Sequence, residues 1–136
     1  DSPLPTVRRS SHMQVNATRR AGLWERRLLG ADVSHQQNLV LIDAEPGAEV
    51  ELHYVQNSES FFVLEGCLRV IAPGFSAELG PGDLCYFPPG TAHGVEVVGG
   101  PARFLVVFAP ARVVLSPAEE VCSGSDGDGP EGPCSD

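Results

Sequence analysis

Three residues have the types and spacing to hold a metal or move a proton: His53, Glu59 and His93. His53 and Glu59 lie six residues apart across the polar stretch Gln56-Asn57-Ser58, and His93 follows Glu59 by 34 residues, just past Pro88-Pro89-Gly90. Two imidazoles with one carboxylate suit Fe(II), Mn, Ni, Cu or Zn, and as a facial set they leave coordination positions open for substrate and oxygen. The same three ligands suffice for a catalytic zinc that keeps one water. An isolated His on an apolar strand is usually an ordinary core or surface residue, so the three are read as a group. His35, within Ser34-His35-Gln36-Gln37, is read as a surface histidine. There is no Gly-rich phosphate loop, no Gly-x-Ser-x-Gly and no well-placed Ser/His/Asp set.

The surrounding spacing resembles the cupin superfamily in its small single-domain form. Gly47, five residues, His53, one, Val55, three, Glu59, six and Gly66 follow its first signature, and Gly82, five residues, Pro88, one, Gly90, two and His93 follow its second. The resemblance covers about residues 37–109. It implies an all-β fold: a cupin β-barrel, a jelly-roll-like double-stranded β-helix, closing around a metal site at one mouth and usually forming a homodimer. Two positions depart from the signatures. Val55 stands where a second His is usual, and Val97 where an Asn is usual. The implied metal ligands are therefore His53, Glu59 and His93, with Val55 placing methyl groups beside the ion in a drier pocket. Water, Gln37 or Asn38 is left as a fourth ligand. Glu59 argues against a decayed site, because an unpaired carboxylate in a barrel mouth is costly to keep without a cation or a hydrogen bond.

What the resemblance implies for function is a small metal-dependent enzyme acting on a small organic molecule. One divalent metal per chain is expected, Fe(II) first, with Zn, Mn, Ni or Cu as alternatives. The metal would act as a Lewis acid toward an oxygen-bearing substrate. Oxygenase-type chemistry is the first expectation, and isomerisation, cyclisation or decarboxylation the second. A third is a non-enzymatic ligand-binding or sensor barrel with a vestigial site.

The elements that must position these residues are short strands. Apolar runs at Trp24–Leu29, Asn38–Asp43, Glu49–Val55, Ser60–Leu64, Leu68–Ala72, Ala77–Leu79, Leu84–Phe87, Gly94–Val98 and Ala102–Phe108 alternate with turn-forming clusters such as Glu65-Gly66, Pro73-Gly74 and Gly99-Gly100-Pro101. Strands recurring at about 8–12 residues describe a sandwich or barrel. No segment of helical length shows a helical period. The barrel is expected over residues 14–114, after a start of little order at 1–13 and before an acidic, Gly/Ser/Asp-rich disordered tail at 115–136.

Alternation along the strands carries a conflict. If His53 faces inward, a strict period of two points Glu49 and Glu51 inward and Val50, Leu52 and Tyr54 outward. Either a bulge interrupts the strand before His53, or another layer covers the apolar face. Ala102, Phe104, Val106 and Phe108 alternate in the same way with Leu105 and Val107, and apolar residues on both faces point to a homodimer. Parity also nominates Val55, Phe61, Val95 and Phe104 as pocket-lining residues.

Composition limits the remaining classes. The chain has 136 residues and a formal net charge of −9, with 15 Gly and 12 Pro. Residues 1–30 carry six Arg and two acids, whereas residues 31–116 carry three Arg and ten acids. An acidic body disfavours nucleic acid and anionic membrane as partners, leaving a small molecule as the expected one. No apolar run approaches the length of a membrane span, and the first residues lack the apolar core of a secretion signal. Ser11-His12-Met13 looks like a cloning remnant, so His12 is set aside. The four Cys form no Cys-x-x-Cys pair, which favours reduced thiols and a cytoplasmic protein.

Overall fold

A computed structural model describes residues 4–111 of the chain. Apart from a 3-10 turn at Ser10–His12, every regular element is a strand: β1 (Asn16–Ala17), β2 (Leu23–Leu29), β3 (Asn38–Ala44), β4 (Glu49–Val55), β5 (Ser58–Ala72), β6 (Phe75–Leu79), β7 (Leu84–Phe87) and β8 (Thr91–Ala109). All pairings are antiparallel. The hydrogen-bonded order is β1-β2-β3-β8-β5-β6, with β4 joined to β8 and β7 to β5. This is the expected cupin-type β-barrel.

Two long strands organise it. β5 and β8 pair from Ser58 opposite Ala109 to Ile71 opposite Gly94. The first half of β5 takes β7 on its free edge, and the second half takes β6. Likewise the first half of β8 takes β4, and the second half takes β3. One ladder thus forms the middle of two opposed layers. Laid flat, the twelve residue-to-residue steps from Glu59 to Ile71 would span about 40 Å at ~3.3 Å each. The ladder instead bends back on itself, and its two ends meet at one mouth.

The bend lies where the sequence showed turns. Glu65-Gly66 and Gly99-Gly100-Pro101 were expected to separate strands, and both lie inside β5 and β8. The ladder shifts register between Val63 and Glu65 and again between Glu65 and Cys67. Gly66 has φ +84°, and a Cβ there would strike the Pro101 carbonyl oxygen and come within 2.7 Å of Ala102 Cα. Its glycine therefore permits a bulge and a close backbone approach, not a chain reversal.

The core lies between the layers. Val40, Ile42, Phe61, Val63, Leu68, Val70, Val95, Val97, Phe104, Val106 and Phe108 are all buried in one cluster. Ahead of the barrel, residues 4–13 were expected to carry little order; they include the Ser10–His12 turn and a 3.2 Å hydrogen bond from Arg8 Nε to the Leu28 carbonyl. The expected tail at 115–136 lies outside the described residues. Among the described residues, no helix is long and apolar enough to cross a membrane.

The conflict in β4 is resolved by a bulge. Pairing runs Glu49–Glu96 and Val50–Val95, then resumes at His53–His93. The irregularity lets both Val50 and His53 face the interior, with Val50 packed on the core and Leu52 and Tyr54 about half exposed. Gly94 faces this bulge across the ladder. A Cβ on residue 94 would sit 2.7 Å from the Val50 carbonyl oxygen and 3.0 Å from the Leu52 nitrogen, both backbone atoms that cannot swing away. Gly94→Ala is expected to lower stability by roughly 2 kcal/mol or more, in the range of overpacking a tight site. Urea denaturation measures the loss; an unchanged midpoint would show that the bulge does not need this glycine.

Candidate functional site

His93 enters the site from a turn clipped to the neighbouring strand. The Gly90 N–H donates to the Val55 carbonyl at 2.9 Å, and Thr91 Oγ1 donates to the Pro88 carbonyl at 2.7 Å. β8 then starts in register with the end of β4, so that Val55 pairs with Thr91 and His53 with His93. The two imidazoles become cross-strand neighbours with ring centroids 5.3 Å apart.

Glu59 comes from the opposite layer. It lies near the start of β5, between Phe87 of β7 and Phe108 of β8. Barrel closure brings its Oε1 to 2.7 Å from His93 Nε2. Both side chains are buried, His93 at 1% exposure and Glu59 at 6%. With the carboxylate accepting, the proton of the pair lies on Nε2. His93 Nδ1 is buried without a hydrogen-bond partner. A ring nitrogen in that position is better left as a lone pair than as an unbonded N–H, which favours the same tautomer.

An aromatic shell surrounds the pair. Phe87 stacks on the His93 ring at 3.9 Å with an interplanar angle of 13°. Phe61 meets His93 edge-on at 5.9 Å and touches Phe87 at 5.3 Å and Phe104 at 5.5 Å. Of the residues nominated as pocket lining, Phe61 thus touches His93 directly, and Phe104 reaches it through Phe61. Val55 is buried two residues beyond His53 on the same strand, and Val95 two residues beyond His93. Phe87 was missed, because its position over His93 requires the β5–β7 register. Parity offered a signal, since Cys85 and Phe87 share a face opposite the exposed Leu84 and Tyr86.

His53 is half-buried, and its Nδ1 lies 3.0 Å from the Glu51 carbonyl. A protonated Nδ1 donating to that oxygen leaves Nε2 with a lone pair, the arrangement by which a backbone acceptor orients a metal-binding histidine. Burial pushes the His53 pKa down from 6.5 to about 4, and the nearby His93 adds to the shift. The ring is therefore neutral at physiological pH, as ligation requires. Asn38, weighed as a fourth ligand, is buried at 1% exposure and its Nδ2 donates to the Gln37 carbonyl at 3.2 Å.

Two imidazoles and a carboxylate from three strands thus converge, and their chemistry suits a borderline divalent ion. They do not form a ready cage. Among the described residues no group of three or more His, Cys, Asp and Glu side chains is arranged to hold a metal, and Glu59 and His93 are hydrogen-bonded to each other. Ion entry would exchange their hydrogen bond for two bonds to metal.

Comparison with known proteins bears on the family and the fold. A family model described as "Cupin domain" matches residues 40–108. The chain belongs to the cupin family. This cupin is similar to the oxalate decarboxylase OxdC of Bacillus subtilis (strain 168), with 31% identity over 94 residues. The match covers 64% of this chain but only 24% of the decarboxylase. Among solved structures, the polyketide cyclase RemF from Streptomyces resistomycificus superposes with a TM-score of 0.70 at 24% identity, over 84% of this chain and 89% of that one. An RmlC-like cupin from Shewanella frigidimarina NCIMB 400 gives a TM-score of 0.67 at 26% identity, over 75% and 87% of the two chains. Distant relatives with this fold thus include enzymes.

The His53 shift sets a pH dependence. Its folded pKa lies below the unfolded value, so the unfolded chain binds more protons between about 4 and 6.5. The contribution is complete above 6.5 and is lost as pH falls toward 4. Discounted for partial exposure, it is on the order of 1–3 kcal/mol. Urea denaturation of wild type and His53→Gln over this pH range isolates it. The wild type should lose more stability than the variant, and parallel curves would refute the shift.

Proposed function

We propose that this cupin is a metal-dependent enzyme acting on a small, oxygen-bearing organic molecule, with one divalent ion bound by His53, Glu59 and His93. The observation that carries the reading is the buried 2.7 Å contact between Glu59 and His93, with His53 in register beside it. When bound, the metal would supply a Lewis acid with coordination positions open to substrate. His53 meets that role as a neutral ring oriented by the Glu51 carbonyl. Phe61 and Phe87 flank His93 and keep water from the interior side of the donors. Val55 contributes apolar surface where another ligand would have closed a coordination position, which suits a substrate that approaches the ion directly.

For the reaction we favour bond rearrangement without net oxidation, with decarboxylation as the leading class, over the oxygenase chemistry first expected. Its support is the 31% identity to a decarboxylase across the barrel. The two-histidine, one-carboxylate set supports oxygenation as the second reading.

Metal analysis of the purified protein tests the proposal. Close to one divalent ion per chain is expected, with loss in His53→Ala and in His93→Ala. Wild-type protein that takes up none of Fe, Mn, Ni, Cu or Zn at neutral pH would overturn it. Turnover of small carboxylates without oxygen consumption would select the first class, and oxygen consumption the second.

We also propose a homodimer. Its support is the row Leu84–Phe62–Leu105 along the outer face, where Phe62 and Leu105 are half-buried and Leu84 and the neighbouring Tyr86 are 58% and 55% exposed. Sedimentation velocity at micromolar concentration should give the dimer mass, and a monomer would exclude this assembly.

A further inference from the structure

A cavity of about 570 Å³ forms where the chain before β1 crosses the end of β2. Its guanidinium lining is Arg8, Arg9 and Arg27 against one acid, Asp32. Arg8 already donates through Nε to the Leu28 carbonyl, and Arg27 lies 3.1 Å from the Glu25 carboxylate. Each guanidinium has five N–H donors, so donors are left for an anion with two-oxygen geometry.

The chain itself carries such anions. Residues 117–136 include Glu119, Glu120, Asp126, Asp128, Glu131 and Asp136, with no Lys or Arg. The last described residue also stands close to the cavity. The Ala111 N–H donates to the His35 carbonyl at 3.2 Å, and His35 follows the loop in which the Val33 and Ser34 amides bond the Gly30 carbonyl. Gly30 and Asp32 form part of the cavity wall. The eight residues from Ala111 to Glu119 can extend to about 27 Å, whereas the three from His35 back to Asp32 span at most about 11 Å.

We propose that the acidic segment 117–136 docks in this arginine-lined cavity of its own chain. Single surface ion pairs contribute little. A tethered segment with six carboxylates instead meets the guanidiniums at an effective concentration in the millimolar range. The location gives docking a consequence. Leu29 pairs with Leu39, the neighbouring Asn38 pairs with Phe108, and Phe108 pairs with Glu59. The cavity therefore lies at the barrel end that carries Glu59, and a docked segment borders the mouth.

The test is nitrogen-15 NMR on the full chain, comparing wild type with a variant in which all six acids are neutralised (E119Q, E120Q, D126N, D128N, E131Q, D136N). At low salt the Arg9, Gly30 and Asp32 amides and the Arg27 side chain should differ between the two. Signals from the far, core-buried part of the ladder, Val63, Leu68 and Val70, should coincide, as the control for folding. The difference should vanish at about 1 M salt, where the screening length is about 3 Å, and should not change with protein concentration. Identical cavity signals at low salt would overturn the proposal. So would differences that grow with concentration, which would place the segment of one copy on another. Inorganic phosphate that shifts the cavity signals equally in both proteins would also overturn it, leaving an open anion site.

Discussion

The ladder between β5 and β8 is the constraint on which the rest of the molecule depends. It supplies the middle of both layers, and its bend at Gly66 converts a long ribbon into a closed barrel. Glu59 and His93 stand near opposite ends of this ladder and touch only because it folds back on itself. The bend is a backbone property: at Gly66 neither the left-handed φ nor the approach of Pro101 and Ala102 admits a side chain without displacement. Geometry at one end of the barrel thus fixes chemistry at the other.

At the mouth, burial and pairing act together. Glu59 is kept under the barrel surface by the His93 N–H, and His93 is kept in orientation by Phe87 stacked on one face and Phe61 against its edge. His53 is controlled differently. Its backbone acceptor lies on its own strand, two residues away, and the bulge opposite Gly94 turns it inward. Burial then holds it neutral. The three donors are thus brought together by different devices, and the one that faces both others, His93, is the most deeply buried.

Much of this was legible in the residues. The spacings Gly47–His53–Glu59–Gly66 and Gly82–Pro88–Gly90–His93, through their resemblance to the cupin signatures, pointed to the barrel and nominated three candidate donors. Alternation exposed a conflict in β4 before His53, which the register shift between Val50 and His53 resolves. It could not choose between a bulge and a covering layer, since that choice rests on what lies across the ladder. The punctuation at Glu65-Gly66 and Gly99-Gly100-Pro101 misled for a related reason. Glycine serves a turn and a bulge equally well, and only the pairing on both sides of the residue distinguishes them.

Sequence alone determined the all-β class and the resemblance to the family, and it nominated His53, Glu59 and His93 as candidate donors with Val55 where another His is usual. Those follow from residue type and linear spacing, which the chain carries without folding. Tertiary structure decided that Glu59 and His93 bond directly, that Phe87 covers the imidazole, that Gly94 faces a bulge, and that β5 and β8 are each one strand shared by two layers. Each of these depends on register between strands distant in sequence, and register is set by packing across the closed barrel.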